Sequence, residues 1–273
     1  MARAERGTWM GVTKQGRIAV LTNWNEQTTY QAVGACSRGA IVNNFLTIPP
    51  ESTKSTSKFV DEMIVSCMAK NAGGFSLVCG KVNEPLAILS NRASNADGIT
   101  WIAKQKGETV GLSNTTLGDR SWPKIIKGEQ LMNDVIRTHV EIEDEEDLIH
   151  RLLDILSLDT LPRLEEGESL GSYINLLRNS IFVPLIGGQD RGEGNTHDES
   201  VDKDVTTASP NGNQQLDQLA YYLQGAYGTQ KQTVILVSAS GRIRYFERTL
   251  FDDDAKPIPV GQGDRSFEFM IEQ

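Results

Sequence analysis

The feature that most constrains the fold of this sequence is a series of short apolar runs joined by tight turns. TWMGVT and RIAVLTNW flank Lys14–Gly16, where a glycine can adopt the positive φ that a hairpin turn requires. FSLVCGKV and LAILSNR flank Asn83–Pro85, which predicts a second hairpin. ITWIAK, TVGLSN, TVILVSAS and RIRYFERTLF are further strand-like runs, and the last two turn at Gly241. The pattern predicts largely antiparallel sheet.

Amphipathic runs between these strands predict helices. Ser37 is a suitable N-cap for AIVNNFL, and Pro123 suits the first position of a helix that follows it. SKFVDEMIVSCMAK predicts one continuous helix, with an apolar face made by Phe59, Met63, Ile64 and Cys67. DEEDLIHRLLDILSL predicts a further helix with acidic residues at its N-terminal end, where the helix dipole favours them.

Residues 187–213 are rich in Gly, Asp and Ser and nearly free of large apolar side chains, which predicts a disordered surface insertion. Because predicted strands lie on both sides of it, we interpret 1–273 as a single domain. Strands joined by hairpins, with helices clustered between them, define the fold class as α+β.

Charge and cysteine content exclude several classes. The net charge of −9 disfavours nucleic acid as a partner, because phosphate backbones would be repelled. The three cysteines, Cys36, Cys67 and Cys79, lack metal-ribbon or disulfide-framework spacing, and Cys67 and Cys79 are expected in the core. No apolar run approaches the ~18 residues of a membrane span. We expect a reduced, soluble, cytoplasmic protein.

No metal or cofactor motif is present in the sequence. His139, His150 and His197 have no second ligand at metal spacing, and the acidic run 141–147 lacks the turn glycine of a calcium loop. Phosphate-binding and nucleophile-elbow motifs are also missing. We therefore expect no metal site.

Polar residues at predicted strand ends are the best site candidates. Each asparagine is commonly a turn former, but strand ends gathered at one edge would form a polar, cationic cleft. The predicted cleft residues are Asn23, Asn91, Arg92, Ser113, Asn114 and Arg248. Ser113 and Asn114 are expected to end a central strand, with Lys124 adding charge at the rim. Trp9, Trp122 and Pro123 are expected to be structural anchors.

Five blocks of the sequence, in this order, carry a family resemblance: GTWMGVTKQGRIAVLTN, SRGAIVNNFL, LSNR, GLSNTTLGDRSWPK and YGTQKQTVILVSASGRIRYFERT. These blocks resemble the Asn-Arg-Asp-Glu motif family, which is the family of transport and Golgi organisation protein 2. They extend from Gly7 to about Thr249, interrupted by the low-complexity stretch. The resemblance implies an αββα sandwich like that of N-terminal-nucleophile hydrolases.

The resemblance also implies a hydrolytic alternative. Related amide hydrolases use an N-terminal cysteine, and by position Asn114 would match the oxyanion asparagine and Arg248 a late arginine. This sequence has Ala2 and no Asn-Arg-Asp-Glu tetrad, so the family's first strands and nucleophile are expected to be missing. An upstream segment lost from the sequence is the explanation we favour; a divergent, non-catalytic form is the other.

Two functions remain open at this point. The first is a non-enzymatic cytoplasmic factor, associated with the Golgi or mitochondria, that supports protein secretion by binding haem or lipid-like cargo. Peripheral rather than integral membrane association fits this function. The second is an amide hydrolase, which would be inactive in this chain because the nucleophile is absent.

Overall fold

Two antiparallel sheets organise the chain in the computed structural model, which describes residues 7–25, 35–92, 98–142, 144–163, 175–186 and 227–272. The predicted insertion 187–213 and His197 lie outside these ranges. The first sheet has five strands in chain order: β1 Met10–Val12, β2 Arg17–Asn23, β3 Phe75–Lys81, β4 Leu86–Ser90 and β5 Ile99–Ile102.

Both predicted hairpins of the first sheet are confirmed. Gly16 adopts a φ of 74° in the turn between β1 and β2, which a glycine accommodates without strain. Asn83 adopts a φ of 72° in the turn between β3 and β4, a conformation that asparagine tolerates better than most residues.

Three helices cover one face of the first sheet: α1 Arg38–Leu46, α2 Thr56–Val65 and α3 Cys67–Asn71. The core between helices and sheet is almost fully buried. Phe45 and Phe59 make an edge-to-face contact with ring centroids 4.9 Å apart, and Leu77 and Leu89 of the sheet are 0% exposed. The first sheet therefore has a dense apolar core of its own.

The single helix predicted across SKFVDEMIVSCMAK is wrong. Ser66 has an extended ψ of 150° and interrupts it, and its hydroxyl then accepts a hydrogen bond from the N–H of Ala69 as the N-cap of α3. The break rotates Cys67 out of the predicted apolar face, so Cys67 is exposed and its predicted core position is also wrong. Cys79, in β3, is buried as expected.

The second sheet has three strands: β6 Lys231–Val237, β7 Arg242–Thr249 and β8 Asp264–Met270. The predicted turn at Gly241 is confirmed, with a φ of 84°. Strand β8 was not predicted from the sequence, and five of its seven residues are exposed.

Two helices accompany the second sheet: α4 Pro123–Ile142 and α5 Glu145–Leu156. Asp144 caps α5 by accepting hydrogen bonds from the N–H groups of Glu146 and Asp147, and the predicted acidic first turn is present. Ile149 and Leu153 of α5 pack against Val234 of β6, with Phe246 of β7 beside them. This core holds α5 against the sheet.

The strand predicted at TVGLSN is also wrong. Residues 108–113 belong to neither a helix nor a strand. Their main chain bonds to side chains: the N–H of Gly111 donates to a Glu129 carboxylate oxygen at 2.9 Å, and the Ser113 carbonyl accepts from the Thr22 hydroxyl at 3.2 Å. These partners replace the ladder that a strand would need.

Candidate functional site

A cavity of about 580 Å³ lies where the 108–113 segment, both helices of the second sheet and strand β6 come together. Its walls are mostly apolar: Val110, Leu112, Ile125, Met132, Ile136, Leu152, Ile155, Leu156, Ile181, Val234 and Ile235. Such a volume is within the range of small-molecule sites, which are concave, mainly apolar and carry few polar groups. The cavity is therefore the best candidate for a binding site.

The charged groups at the cavity come from two segments. Glu108 belongs to the 108–113 segment, and Lys124 and Glu129 belong to α4. Glu129 is neutralised by Arg120, whose guanidinium nitrogen lies 2.6 Å from the carboxylate. Glu129 also accepts a hydrogen bond from the N–H of Gly111, which links the 108–113 segment to α4.

Lys124 is the only basic residue that lines the cavity within the described part of the chain. Its Nζ lies 5.3 Å from the ring centroid of Trp122, a cation–π contact that holds the side chain. Burial lowers the pKa of Lys124 from its ordinary value, because a charged ammonium is poorly solvated there. An anionic ligand would relieve that cost.

Three of the predicted cleft residues meet at the end of β2. The Asn114 amide nitrogen donates to the Asn23 carbonyl at 2.8 Å, and the Ser113 hydroxyl donates to the Asn114 amide oxygen at 3.4 Å. The side-chain oxygen of Asn23 is buried and has no hydrogen-bond partner among the described residues. Only Ser113 of the predicted cleft also lines the cavity.

Asn91 and Arg92 lie at the same edge of the first sheet, after β4, but Asn91 has structural partners. Its amide oxygen accepts from the N–H of Phe75 at 2.9 Å, and its nitrogen donates to the Ala69 carbonyl at 3.0 Å. The Arg92 guanidinium donates to the Asn91 carbonyl at 3.2 Å. Asn91 thus ties β3 to α3.

Arg248 lies in β7 of the second sheet and is engaged in a bidentate pair. Its Nε and Nη2 donate to the two carboxylate oxygens of Asp264 in β8, at 2.9 and 2.8 Å. This pairing raises the pKa of Arg248 above its usual range. Arg248 is not among the residues that line the cavity.

The three predicted structural anchors contribute to the fold in different ways. Pro123 is the first residue of α4, as expected, and the Trp122 carbonyl accepts the N–H of Ile125 at 3.0 Å. The Trp9 side chain is 53% exposed, although its carbonyl accepts the N–H of Leu21 and so extends the pairing of β1 with β2. Trp9 therefore contributes through its main chain.

The apolar wall was not singled out by sequence reasoning. A usable signal exists, since Met132 and Ile136 recur at helical spacing on α4, and Leu152, Ile155 and Leu156 on α5. That signal shows which residues face inward, but a packed core and the wall of a cavity produce the same pattern. The empty space between them depends on tertiary packing.

Within the residues that the structure describes, no group of three or more His, Cys, Asp or Glu side chains is arranged to hold a metal ion. In the same ranges, no helix combines the length and the apolar character needed to cross a bilayer.

Two antiparallel sheets with flanking helices and a ligand-sized apolar cavity define an α+β protein with a candidate binding site. The sequence matches the family described as Transport and Golgi organisation 2 over residues 1–252, and the chain belongs to that family. The resemblance found in the sequence is thereby confirmed.

Named relatives agree with this assignment. The human Transport and Golgi organization protein 2 homolog is 26% identical over 271 residues, which cover 98% of this chain and 79% of the relative. The mouse homolog is 24% identical over 91% of this chain and 74% of the relative. The Drosophila melanogaster protein of the same name is 24% identical over 90% of this chain and 73% of its own.

Proposed function

We propose that this protein acts in secretory transport and Golgi organisation by binding lipid-like cargo or haem in the cavity beside β6. Membership of the Transport and Golgi organisation 2 family supports the cellular role. The observation that carries the binding role is the cavity of about 580 Å³ with mostly apolar walls.

The polar groups of the cavity select the kind of cargo. An apolar body would contact residues such as Leu152 and Ile155, while an acidic group would pair with Lys124. Fatty acyl chains that carry a carboxylate and haem with its propionates both combine these properties. Apolar surroundings strengthen the Coulomb attraction of such a pair, and the attraction offsets the cost that Lys124 already incurs by burial.

Binding is a better supported role than hydrolysis. The two residues that resembled parts of a hydrolase site have partners within the protein: Asn114 donates to the Asn23 carbonyl, and Arg248 pairs with Asp264. Neither lines the cavity. Cysteine chemistry gains no support from Cys79, whose pKa is raised to about 12 by burial.

We also propose how the two sheets pack together. In an αββα sandwich the sheet faces without helices would face each other, and burial on those faces supports it: Ile88 is 3% exposed and Ile243 is 0% exposed. Ile88 alternates with the helix-packed Ala87 and Leu89.

We place the protein in the cytoplasm, peripherally associated with Golgi or mitochondrial membranes.

The first test fills the cavity from its own wall. Gly128 lines the cavity on α4, and a Cβ there would lie 3.5 Å from Ile181 Cδ1, an ordinary contact. Gly128→Ala should therefore fold and keep binding, because alanine also favours the helix. Gly128→Leu should abolish saturable binding of a fluorescent fatty acid or of haemin, followed by fluorescence or absorbance titration. Equal binding by both variants would place the cargo elsewhere.

The second test concerns the acidic group. Lys124→Met should weaken binding of a fatty acid by about tenfold or more, because the carboxylate loses its cationic partner on α4. It should leave binding of the matching fatty alcohol unchanged. Lys127→Met is the control, since Lys127 is exposed on the same helix and does not line the cavity. An absence of saturable binding by the unmodified protein would contradict the proposed function itself.

A further inference from the structure

Within the residues that the structure describes, strand β6 has an open edge. The second sheet has the order β6-β7-β8, so in these ranges β6 has a hydrogen-bonded strand on one side only. Just beyond the strand ends, the N–H of Leu250 donates to the Gln230 carbonyl, and the N–H of Ser238 donates to the Arg242 carbonyl. Hydrogen-bonded pairs alternate along an antiparallel ladder, so Gln232, Val234 and Leu236 bond to β7.

The intervening residues therefore direct their main-chain groups away from β7. These residues include Thr233 and Ile235, both of which line the cavity. Among the residues that the structure describes, their main-chain N–H and C=O groups have no hydrogen-bond partner. Open strand edges are templates for pairing with another extended chain, and proteins usually cover or charge them.

The space beside this edge matches an added strand. A strand residue takes up about 3.3 Å along the chain, 4.8 Å between strands and 10 Å between layers, or roughly 160 Å³. The cavity of about 580 Å³ would therefore hold between three and four residues of extended chain. That length reaches past both Thr233 and Ile235.

The lining also selects the chemistry of such a strand. Side chains directed towards α5 would meet Leu152, Ile155 and Leu156, so they should be apolar. Lys124 supplies a positive charge at the same cavity, and within the described residues no carboxylate forms an ion pair with it. One acidic side chain on the added strand would complement that charge.

We propose that the open edge of β6 is a docking site for an extended peptide of a partner polypeptide, with alternating apolar side chains and one carboxylate. The peptide pairs with the main chain of Thr233 and Ile235, as in other cases of β-strand addition. This inference goes beyond the proposed cargo function. Since both occupants use one cavity, the docked peptide would expel the cargo.

The test uses the whole chain and a synthetic peptide of about eight residues, capped at both ends, with alternating Val and Thr and a central Glu. Binding is measured by calorimetry without cargo, and amide hydrogen exchange locates the site. We expect saturable binding, with new protection of the Thr233 and Ile235 amides. The amides of Gln232 and Val234, which already bond to β7, should change little.

Two controls separate strand pairing from simple apolar adhesion. N-methylation of alternate peptide amides removes the donors and should weaken binding about tenfold or more. Ile235→Pro and Val237→Pro each remove one main-chain N–H that points away from β7. They differ in position, because Ile235 lines the cavity and Val237 does not. The first variant should lose binding and the second should keep it.

Several results would overturn the inference. They are no saturable binding, equal binding of the methylated peptide, or protection located away from β6. If the protein alone protects these amides as its concentration rises and its mass doubles, a second copy occupies the edge and the partner assignment is wrong. A fatty-acid titration in parallel reports on the cargo proposal separately, since it is performed without peptide.

Discussion

The two sheets of this protein use their helices differently. The first sheet meets its helices through a dense apolar core in which Phe45, Phe59, Leu77 and Leu89 are at most 3% exposed. The second sheet has a smaller apolar core, with charged pairs around it and a cavity at one side. We therefore expect stability to be concentrated in the first sheet, and the proposed binding to take place at the second.

Charged contacts contribute to the attachment of α5 to the second sheet. Arg242 and Arg244 of β7 both pair with Glu145 in the first turn of α5, and Arg244 also reaches Glu146 at 2.6 Å. Arg248 pairs with Asp264 across the strands. Such pairs fix orientation but contribute less stability than an apolar core of equal area.

The largest expected contrast is in cysteine accessibility. Cys67 is exposed on α3, whereas Cys79 is buried in β3 with a pKa raised to about 12. Iodoacetamide at neutral pH should modify Cys67 faster by a factor of about a thousand or more, because Cys79 reacts only after the core opens. Peptide mass spectrometry follows both sites. In Cys67→Ser the slow site should remain slow; comparable rates would mean that the first core is loose.

Matched leucine deletions should give the next largest effect. Leu89→Ala in the first core should lower the free energy of unfolding by about 2–5 kcal/mol, through lost burial and a new cavity. Leu156→Ala should cost only about 1 kcal/mol, because Leu156 is part-buried and already borders empty space. Denaturant unfolding measures both. Equal losses would contradict the contrast between the two regions.

A smaller effect is expected for the pair between β7 and β8. In a double-mutant cycle with Arg248→Met and Asp264→Asn, the coupling free energy should be about 1 kcal/mol. The geometry is bidentate, and the side chains are only 15% and 19% exposed. The same cycle on Arg137 and Asp134, which are 78% and 60% exposed, is the control and should give little coupling.

The smallest effect should appear as a pH dependence. Burial would raise the pKa of Glu145, but hydrogen bonds from Arg242 and Arg244 outweigh it and hold that pKa below its ordinary value. A lowered folded-state pKa stabilises the protein above the unfolded value, near 4.3, and the contribution is lost as pH falls through the folded value. Glu145→Gln should remove that part of the slope. Added salt should reduce the difference between variant and parent.

Local chemistry explains which predictions were confirmed. The turns at Gly16, Asn83 and Gly241 and the start of α4 at Pro123 depend on the conformational limits of a single residue. The confirmed α+β class follows from those turns together with the apolar patterns. Family membership was likewise readable, because five blocks kept their order along the chain.

The wrong predictions have several origins. Ser66 breaks a helix whose apolar periodicity appeared continuous, because its hydroxyl caps the next helix instead. The 108–113 segment has a strand-like composition, yet Glu129 and Thr22 satisfy its main chain. Arg248 pairs with Asp264, which lies in a strand that was not predicted. The 108–113 segment and Arg248 depend on partners that are distant in sequence, whereas the break at Ser66 is made by a local cap on Ala69.

The sequence by itself determined the secondary-structure class, most of the turns and the family, since these follow from backbone limits and short-range patterns. Tertiary structure alone decided that a ligand-sized, mostly apolar cavity lies beside β6. Periodicity reports which side of an element faces inward, but it does not report whether the facing elements touch. At this cavity α4, α5 and the edge of β6 do not fill the space between them, and that gap is what a ligand or a strand can use.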